Sequence, residues 1–251
     1  PDALKASGEE GASTSAQLWS RESQDELHHT VTCDSAVLAL AVDNVRGRML
    51  VGTQQGDIRV WNLHTFQVQA DLVGHDSSVL SLVLSDDYVF SAASDSTVRV
   101  WDAETLQPCA CVFPASTNTG DIYSLAWDAK AQVLYMGCQD TSIEWISITR
   151  ARLHEAASEP LWPTATSYDK FFDSRPRSLW HRTTEREMSA RSATASDLLR
   201  RTHVRWSDGR TCADSPMAVL RVDPAHVVHS AHHSYVYCLT WAEVNGETML
   251  A

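Results

Sequence analysis

Three stretches of this sequence repeat one pattern, and this repeat limits the possible folds more than any other feature. They are GTQQGDIRVWN at 52–62, SAASDSTVRVWD at 91–102 and MGCQDTSIEWIS at 136–147. Aligning Gln55, Asp95 and Asp140 places successive units 40 and 45 residues apart. A unit of this length holds four short strands and buries its apolar faces by stacking on its neighbours. The repeat therefore predicts an all-β fold of stacked sheets.

The second unit shows the four strands most clearly. Apolar or alternating segments, typical of strands, occupy 79–84, 88–93, 97–101 and 109–113. The first unit offers segments 37–42, 49–53, 57–63 and 67–72, whereas the third offers 122–127, 133–138 and 142–148 and leaves its fourth strand unassigned. AHHSYVYCLTW at 231–241 aligns with GHDSSVLSLVL at 74–84 and places His232 over His75. This alignment predicts the start of a further unit.

The second unit resembles the WD-repeat family. The resemblance rests on Gly74-His75, on Asp95 and on Trp101-Asp102. It implies a β-propeller, incomplete in this chain, with three blades and part of a fourth around a long irregular insertion. The outer units depart from the pattern, since Gln55 replaces the aspartate of the first and Ile146 the tryptophan of the third.

Four polar or aromatic residues of the second unit have two possible interpretations. A serine, a histidine and an aspartate close in sequence are the parts of a hydrolase, but Ser91 lies inside an apolar strand and the chain has no G-x-S-x-G turn. In the WD-repeat family the matching residues form one hydrogen-bonded chain inside the blade. The resemblance thus implies a structural tetrad of His75, Ser91, Asp95 and Trp101, with no catalytic residue in this chain.

Composition divides the chain into four parts. We expect a disordered tail at 1–27, blades at 28–149, a mostly irregular inserted loop at 150–221 and the truncated start of a blade at 222–251. The net charge is −12, yet the insertion carries 13 basic and 9 acidic residues. The remainder is therefore strongly acidic, which argues against nucleic acid as a partner. No apolar run is long enough to span a membrane.

Protein partners are the expected ligands of such a chain, because binding residues concentrate on loops. Candidate contacts are Asp76, Ser77, His233 and Tyr235 on the blade loops and Phe171 and Phe172 in the insertion. The insertion itself reads as either a solvated loop or a docking segment.

The histidines and cysteines predict neither a metal site nor a cofactor. His226 and His229, spaced three apart, would point to opposite faces of a strand. The six cysteines form no C-x-x-C pair and mostly lie in apolar segments. Buried free thiols of this kind favour a reducing, cytoplasmic location.

Three runs carry a narrower resemblance, namely GCQDTSIEWI at 137–146, SYDKFFDSRPR at 167–177 and HVVHSAHHSYVYCL at 226–239. They are similar to the N-terminal WD-repeat region of the fungal glutathione-degradation peptidase subunit. The resemblance implies a non-catalytic propeller in a cytosolic complex, with a fused peptidase domain and a glutamine-amidotransferase-like subunit as partners. None of the eleven histidines precedes an aspartate by two residues, as the metal motif of such peptidases requires.

Two functions from different classes remain open beside this one. A general WD-repeat adaptor, for example a substrate receptor in protein turnover, would use the same loop surfaces. An enzyme in its own right would need an exposed nucleophile or a metal site, and the sequence provides neither pattern. We expect the chain to be a fragment, because three blades and part of a fourth do not close a ring.

Overall fold

Nearly all regular structure in the computed structural model of this protein is β-strand, which confirms the predicted all-β class. The structure describes residues 3–5, 15–19, 27–116, 119–158, 202–212, 217–244 and 247–250. Phe171 and Phe172, two predicted partner contacts, lie outside this set. Among the described residues, no helix is long and apolar enough to cross a bilayer.

The N-terminal part contains a three-stranded antiparallel sheet. Its strands are β1 (Ala3–Lys5), β2 (Ser15–Trp19) and β3 (Leu27–Thr32). The prediction of a disordered tail over 1–27 is therefore wrong for the segments that form β1 and β2. The physical reason lies in burial, since Ala16 packs in one cluster with Val31, Cys33 and Met49.

The first and second predicted blades are antiparallel sheets in chain order. The first consists of β4 (Val37–Asp43), β5 (Arg48–Thr53), β6 (Ile58–Asn62) and β7 (Val68–Val73). The second consists of β8 (Val79–Leu84), β9 (Tyr88–Ala93), β10 (Val98–Asp102) and β11 (Pro108–Phe113). In both, alternation of polar and apolar residues located the strands.

The third blade takes its last strand from a distant part of the chain. Three strands follow one another, β12 (Ile122–Asp128), β13 (Val133–Cys138) and β14 (Ile143–Ser147). The fourth position, unassigned by the sequence, is filled by a two-residue strand that pairs with β14 at Ile143 and Glu144. This strand follows the insertion in sequence, so the third blade is completed by residues on both sides of the insertion.

Where the structure describes the insertion, it contains regular elements, although the sequence predicts a mostly irregular loop. They are α1 (Arg150–Ser158), β15 (His203–Trp206), β16 (Thr211–Cys212) and β17 (Ala218–Arg221), followed by the strand β18 (Val227–Val228) of the third blade. β15 pairs antiparallel with β7, and β17 pairs parallel with β11. The edges of the first two blades would otherwise present unpaired backbone groups, and these strands satisfy them.

The helix is anchored at both its start and its apolar face. The Thr149 hydroxyl accepts a hydrogen bond from the backbone N–H of Arg152 (3.2 Å), as an N-cap residue does. Leu153 is buried in the core that the second and third blades share, together with Leu220 and Val222. The helix therefore ties the start of the insertion to its return.

The predicted start of a fourth blade at 231–241 is wrong in detail. Residues 229–240 form no strand, and His232, aligned with His75, is exposed. The two strands that follow, β19 (Trp241–Val244) and β20 (Glu247–Leu250), pair with each other. A strand forms only where a neighbour supplies a hydrogen-bonding edge, and this segment instead buries Val236 and Leu239 against Ala126.

The core lies between the sheets. One cluster joins the first and second blades and includes Val60, Leu72 and Trp101, all fully buried. Another joins the second and third blades and includes Phe90, whose ring lies 4.7 Å from that of Trp127. The first strands of the blades are neighbours, with β4 beside β8 and β8 beside β12. Sheets packed in this way form an incomplete propeller.

Candidate functional site

The structure brings the four predicted tetrad residues into one hydrogen-bonded chain. His75 precedes β8, Ser91 lies within β9, Asp95 in the following turn and Trp101 on β10. The indole N–H of Trp101 donates to Ser91 Oγ at 3.1 Å. Ser91 Oγ lies 2.9 Å from His75 Nε2, and His75 Nδ1 lies 2.9 Å from Asp95 Oδ2. With Nδ1 protonated, every link has a donor and an acceptor.

Asp95 is the charged residue at the end of this series of hydrogen bonds. Burial raises the pKa of its carboxyl group, but the charge and hydrogen bond of His75 oppose this effect and hold the pKa well below its ordinary value. Its oxygens also accept the backbone N–H groups of Asp76 (3.1 Å) and Thr97 (3.0 Å). The Thr97 hydroxyl donates to it at 2.7 Å. Asp95 therefore joins the loop before β8 to the turn before β10.

Thr97 is a member of this network that the sequence analysis did not single out. Its counterpart in the third blade is Ser142, whose hydroxyl and backbone N–H both donate to Asp140. The pattern Asp-x-Ser/Thr at the same turn of two blades is the signal that would have found it. A carboxylate that accepts from the residue two positions later stabilises a tight turn.

The contacts between Ser91, His75 and Asp95 match those of a hydrolytic triad, so distances alone do not distinguish the two interpretations. Burial does, because Ser91 and Trp101 are 0% exposed. The Ser91 oxygen also accepts the indole N–H of Trp101. A nucleophile must reach its substrate, so this hydroxyl stabilises the blade and is not available for attack.

The predicted partner contacts lie on loops of two different blades. Asp76 is exposed and Ser77 is half-buried in the loop that His75 and Asp95 hold. His233 and Tyr235 are exposed in the segment that follows β18. Tyr235 contacts two further tyrosines, Tyr123 and Tyr237, which the sequence analysis did not select. No pattern along the chain indicates that contact, because β12 and the later segment meet only in the fold.

Three of the residues considered as possible metal ligands or reactive thiols have packing roles, namely Cys109, Cys111 and His226. Burial raises the pKa of Cys109 to about 12 and of Cys111 to about 11, so both stay protonated thiols. His226 stacks on Trp145, with ring centroids 5.4 Å apart. Within the described ranges, no three His, Cys, Asp or Glu side chains are grouped as metal ligands.

Comparison with known proteins identifies the second blade. Residues 66–102 match the family described as "WD domain, G-beta repeat". They include the last strand of the first blade and the tetrad of the second, so this part of the chain is similar to a WD repeat.

Relatives match over different shares of the chain. The chain is 37% identical over 114 residues to "Zinc finger CCCH domain-containing protein 17" of Oryza sativa subsp. japonica, which covers 44% of this chain and 25% of that protein. It is 30% identical over 124 residues to "DENN domain and WD repeat-containing protein SCD1" of Arabidopsis thaliana, covering 49% of this chain and 10% of that protein.

A third relative matches more of the chain. It is "Probable di- and tripeptidase DUG2" of Saccharomyces cerevisiae, 24% identical over 237 residues, with 85% of this chain and 25% of that protein covered. The matched part of the chain spans a quarter or less of the length of each of these three relatives.

Proposed function

We propose that this chain is a protein-interaction scaffold built of WD repeats. The observation that carries the proposal is the buried series of hydrogen bonds from Trp101 through Ser91 and His75 to Asp95. In this arrangement the serine, histidine and aspartate side chains, which could act in catalysis elsewhere, hold the loops of the blade in place. Loops held by a rigid scaffold bind partners with little cost in ordering.

The loop after His75 is the best-supported contact surface. Asp76 exposes its side chain while its backbone N–H is bound to Asp95. The neighbouring turn of the first blade packs beneath it, since a Cβ at Gly56 (φ 96°) would lie 2.5 Å from the carbonyl oxygen of His75. The loop therefore has a fixed backbone and an exposed acidic residue, which suits recognition of a preformed surface.

We further propose that the scaffold belongs to a cytosolic complex that degrades glutathione. The support is the relative named as a di- and tripeptidase, whose alignment covers 85% of this chain. The part left uncovered is shorter than segment 150–221, so the alignment includes part of the insertion as well as the repeats. Glutathione is a tripeptide, so the substrate class agrees. Under this proposal the propeller holds a fused peptidase domain and an amidotransferase-like subunit and performs no catalysis.

Affinity capture with the tagged chain tests both levels of the proposal. We expect the wild type to recover the amidotransferase-like subunit and Asp76→Arg to lose it, because the substitution reverses the charge of the fixed loop. Glu155→Arg, an exposed charge reversal on α1, is the matched control and should capture normally. Recovery of ubiquitin-ligase components in place of that subunit would refute the glutathione complex in favour of an adaptor. Glutathione hydrolysis by the chain alone would refute the scaffold.

A further inference from the structure

Three tyrosine rings meet on the surface of the third blade. Tyr123 extends from β12, and its ring centroid lies 5.6 Å from that of Tyr235 and 4.8 Å from that of Tyr237. The rings of Tyr235 and Tyr237 are 5.8 Å apart, edge to face. Tyr235 is 44% and Tyr237 63% exposed, which places both among the exposed large hydrophobic residues of the described part of the chain. This tyrosine cluster presents aromatic surface to solvent.

The backbone between the two exposed tyrosines is fixed. Val236 is buried, and its backbone N–H donates to the carbonyl oxygen of Cys138 at 3.4 Å. Its own carbonyl oxygen accepts the hydroxyl of Ser124 at 3.0 Å. With Val236 held inward, Tyr235 and Tyr237 lie on either side of it and reach Tyr123. The cluster is therefore preorganised by the blade.

A carboxylate completes the surroundings of the cluster. Burial, the charge of Asp121, the two other tyrosines and a hydrogen bond to Asp121 together raise the pKa of Tyr123 to about 12. Asp121 is itself held, since its backbone N–H donates to Gln139 Oε1 at 3.2 Å. The site is electronegative and has a fixed geometry.

We propose that Tyr123, Tyr235 and Tyr237, with the Asp121 carboxylate, form a recognition site for an arginine side chain of a protein partner. Aromatic faces attract cations through the ring quadrupole, and a planar guanidinium stacks on them while it pairs with a carboxylate. The net charge of −12 also favours a basic partner. Tyrosine and arginine are both enriched at binding hot spots. This inference rests on the proposed scaffold function and specifies the chemistry of one partner contact.

A titration with two small probes tests the site directly. The full chain is labelled with ¹³C in its tyrosine rings and titrated with N-acetyl-arginine methylamide or with N-acetyl-citrulline methylamide, a neutral near-isostere. We expect the arginine probe to shift the ring signals of the tyrosine cluster and the citrulline probe to leave them in place. Tyr88, only 4% exposed, is the internal control. Equal shifts with both probes, equal shifts at Tyr88 or no shift at all would overturn the site.

Variants separate recognition from folding. Tyr237→Leu should weaken binding of the arginine probe by about two- to fivefold, as expected for one exposed cation–π contact. Tyr237→Phe keeps the aromatic face and should bind within about twofold of wild type. Asp121→Asn should weaken binding and reduce its dependence on salt. If Tyr237→Leu binds as wild type does, the proposal fails. The capture experiment with Asp76→Arg probes another loop, so failure here leaves the scaffold function standing.

Discussion

The first and second blades carry the same tryptophan in the same place, yet only one of the two is hydrogen-bonded. Trp101 pairs across its strand with Val89, and Trp61 pairs in the same way with Met49. Trp101 donates to Ser91, whereas the matching position in the first blade is Val51. The indole nitrogen of Trp61 is buried and has no partner within the described part of the chain. The residue at the position of Ser91 or Val51 therefore decides whether the tryptophan donates a hydrogen bond or only packs.

A second equivalent pair, Arg59 and Arg99, differs for another reason. Arg59 is partly exposed and pairs with Asp71 at 3.0 Å and Asp34 at 3.1 Å. Arg99 is 0% exposed and donates to the hydroxyl of Thr202, while two other nitrogens of its side chain find no partner among the described residues. Thr202 belongs to the insertion. The blades themselves also differ here, because Arg59 lies across from Asp71 whereas Arg99 lies across from Cys111. Both this neighbour and the segment at Thr202 separate the two arginines.

The largest expected effect separates the two tryptophans. Trp101→Ala should destabilise the protein by about 3–5 kcal/mol, because it removes a fully buried ring and leaves a cavity. Trp61→Ala should cost less, since that residue is only half-buried. Urea unfolding followed by circular dichroism measures both. Equal losses would show that the two blades do not differ in the way their environments indicate.

Replacing Ser91 of the second blade with its counterpart from the first should destabilise the protein by a smaller amount. Ser91→Val places the counterpart of Val51 between His75 and Trp101 and leaves a buried N–H and a ring nitrogen unpaired. We expect a loss of about 1–3 kcal/mol, the cost of unsatisfied buried polar groups. Ser81→Val, on the neighbouring half-buried strand β8, serves as a control outside the network. Unchanged melting of the Ser91 variant would refute the structural role of the tetrad.

The reverse exchange tests whether the first blade can gain the missing bond. Val51→Thr adds a hydroxyl at the position of the first blade that matches Ser91. A double-mutant cycle with Trp61→Phe should give a favourable coupling of about 0.5–1.5 kcal/mol, the net value of one hydrogen bond. The coupling is read from unfolding free energies of the four proteins. A coupling of zero would mean that the indole nitrogen cannot reach position 51.

The last and smallest expected difference is in how steeply the stability of two proteins falls with pH in acid. Because the folded-state pKa of Asp95 is lowered below its ordinary value of 3.8, its stabilising contribution is present above that pH and is lost as the pH falls below it. Stability of the wild type should therefore fall more steeply below pH 3.8 than that of Asp95→Asn, which has no proton to bind. Thermal unfolding between pH 2.5 and about 6 measures this difference. Parallel curves would show that the His75–Asp95 pair does not depress the pKa.

The sequence predicted the strands of the first two blades well, because each strand pairs with its neighbour along the chain. In the second blade, alternation of side chains and the turn at Asp95 determine which residues form strands β8 to β11. The prediction failed at 231–240, where the segment does not pair with a neighbouring strand. There the same kind of alternation did not produce a strand, because hydrogen bonding to a neighbouring edge is required as well as alternation.

The sequence by itself determined the all-β class and the order of strands within the first two blades, since these depend on spacing along one short unit. Its resemblance to WD repeats implied the four residues of the tetrad. Only the tertiary structure decided that β15 and β17 complete the edges of the first two blades, that Thr202 covers Arg99 and that Tyr123 meets Tyr235 and Tyr237. These contacts join residues about a hundred positions apart. They depend on which backbone edges and apolar faces remain unpaired after the blades form, and no periodicity along the chain records that.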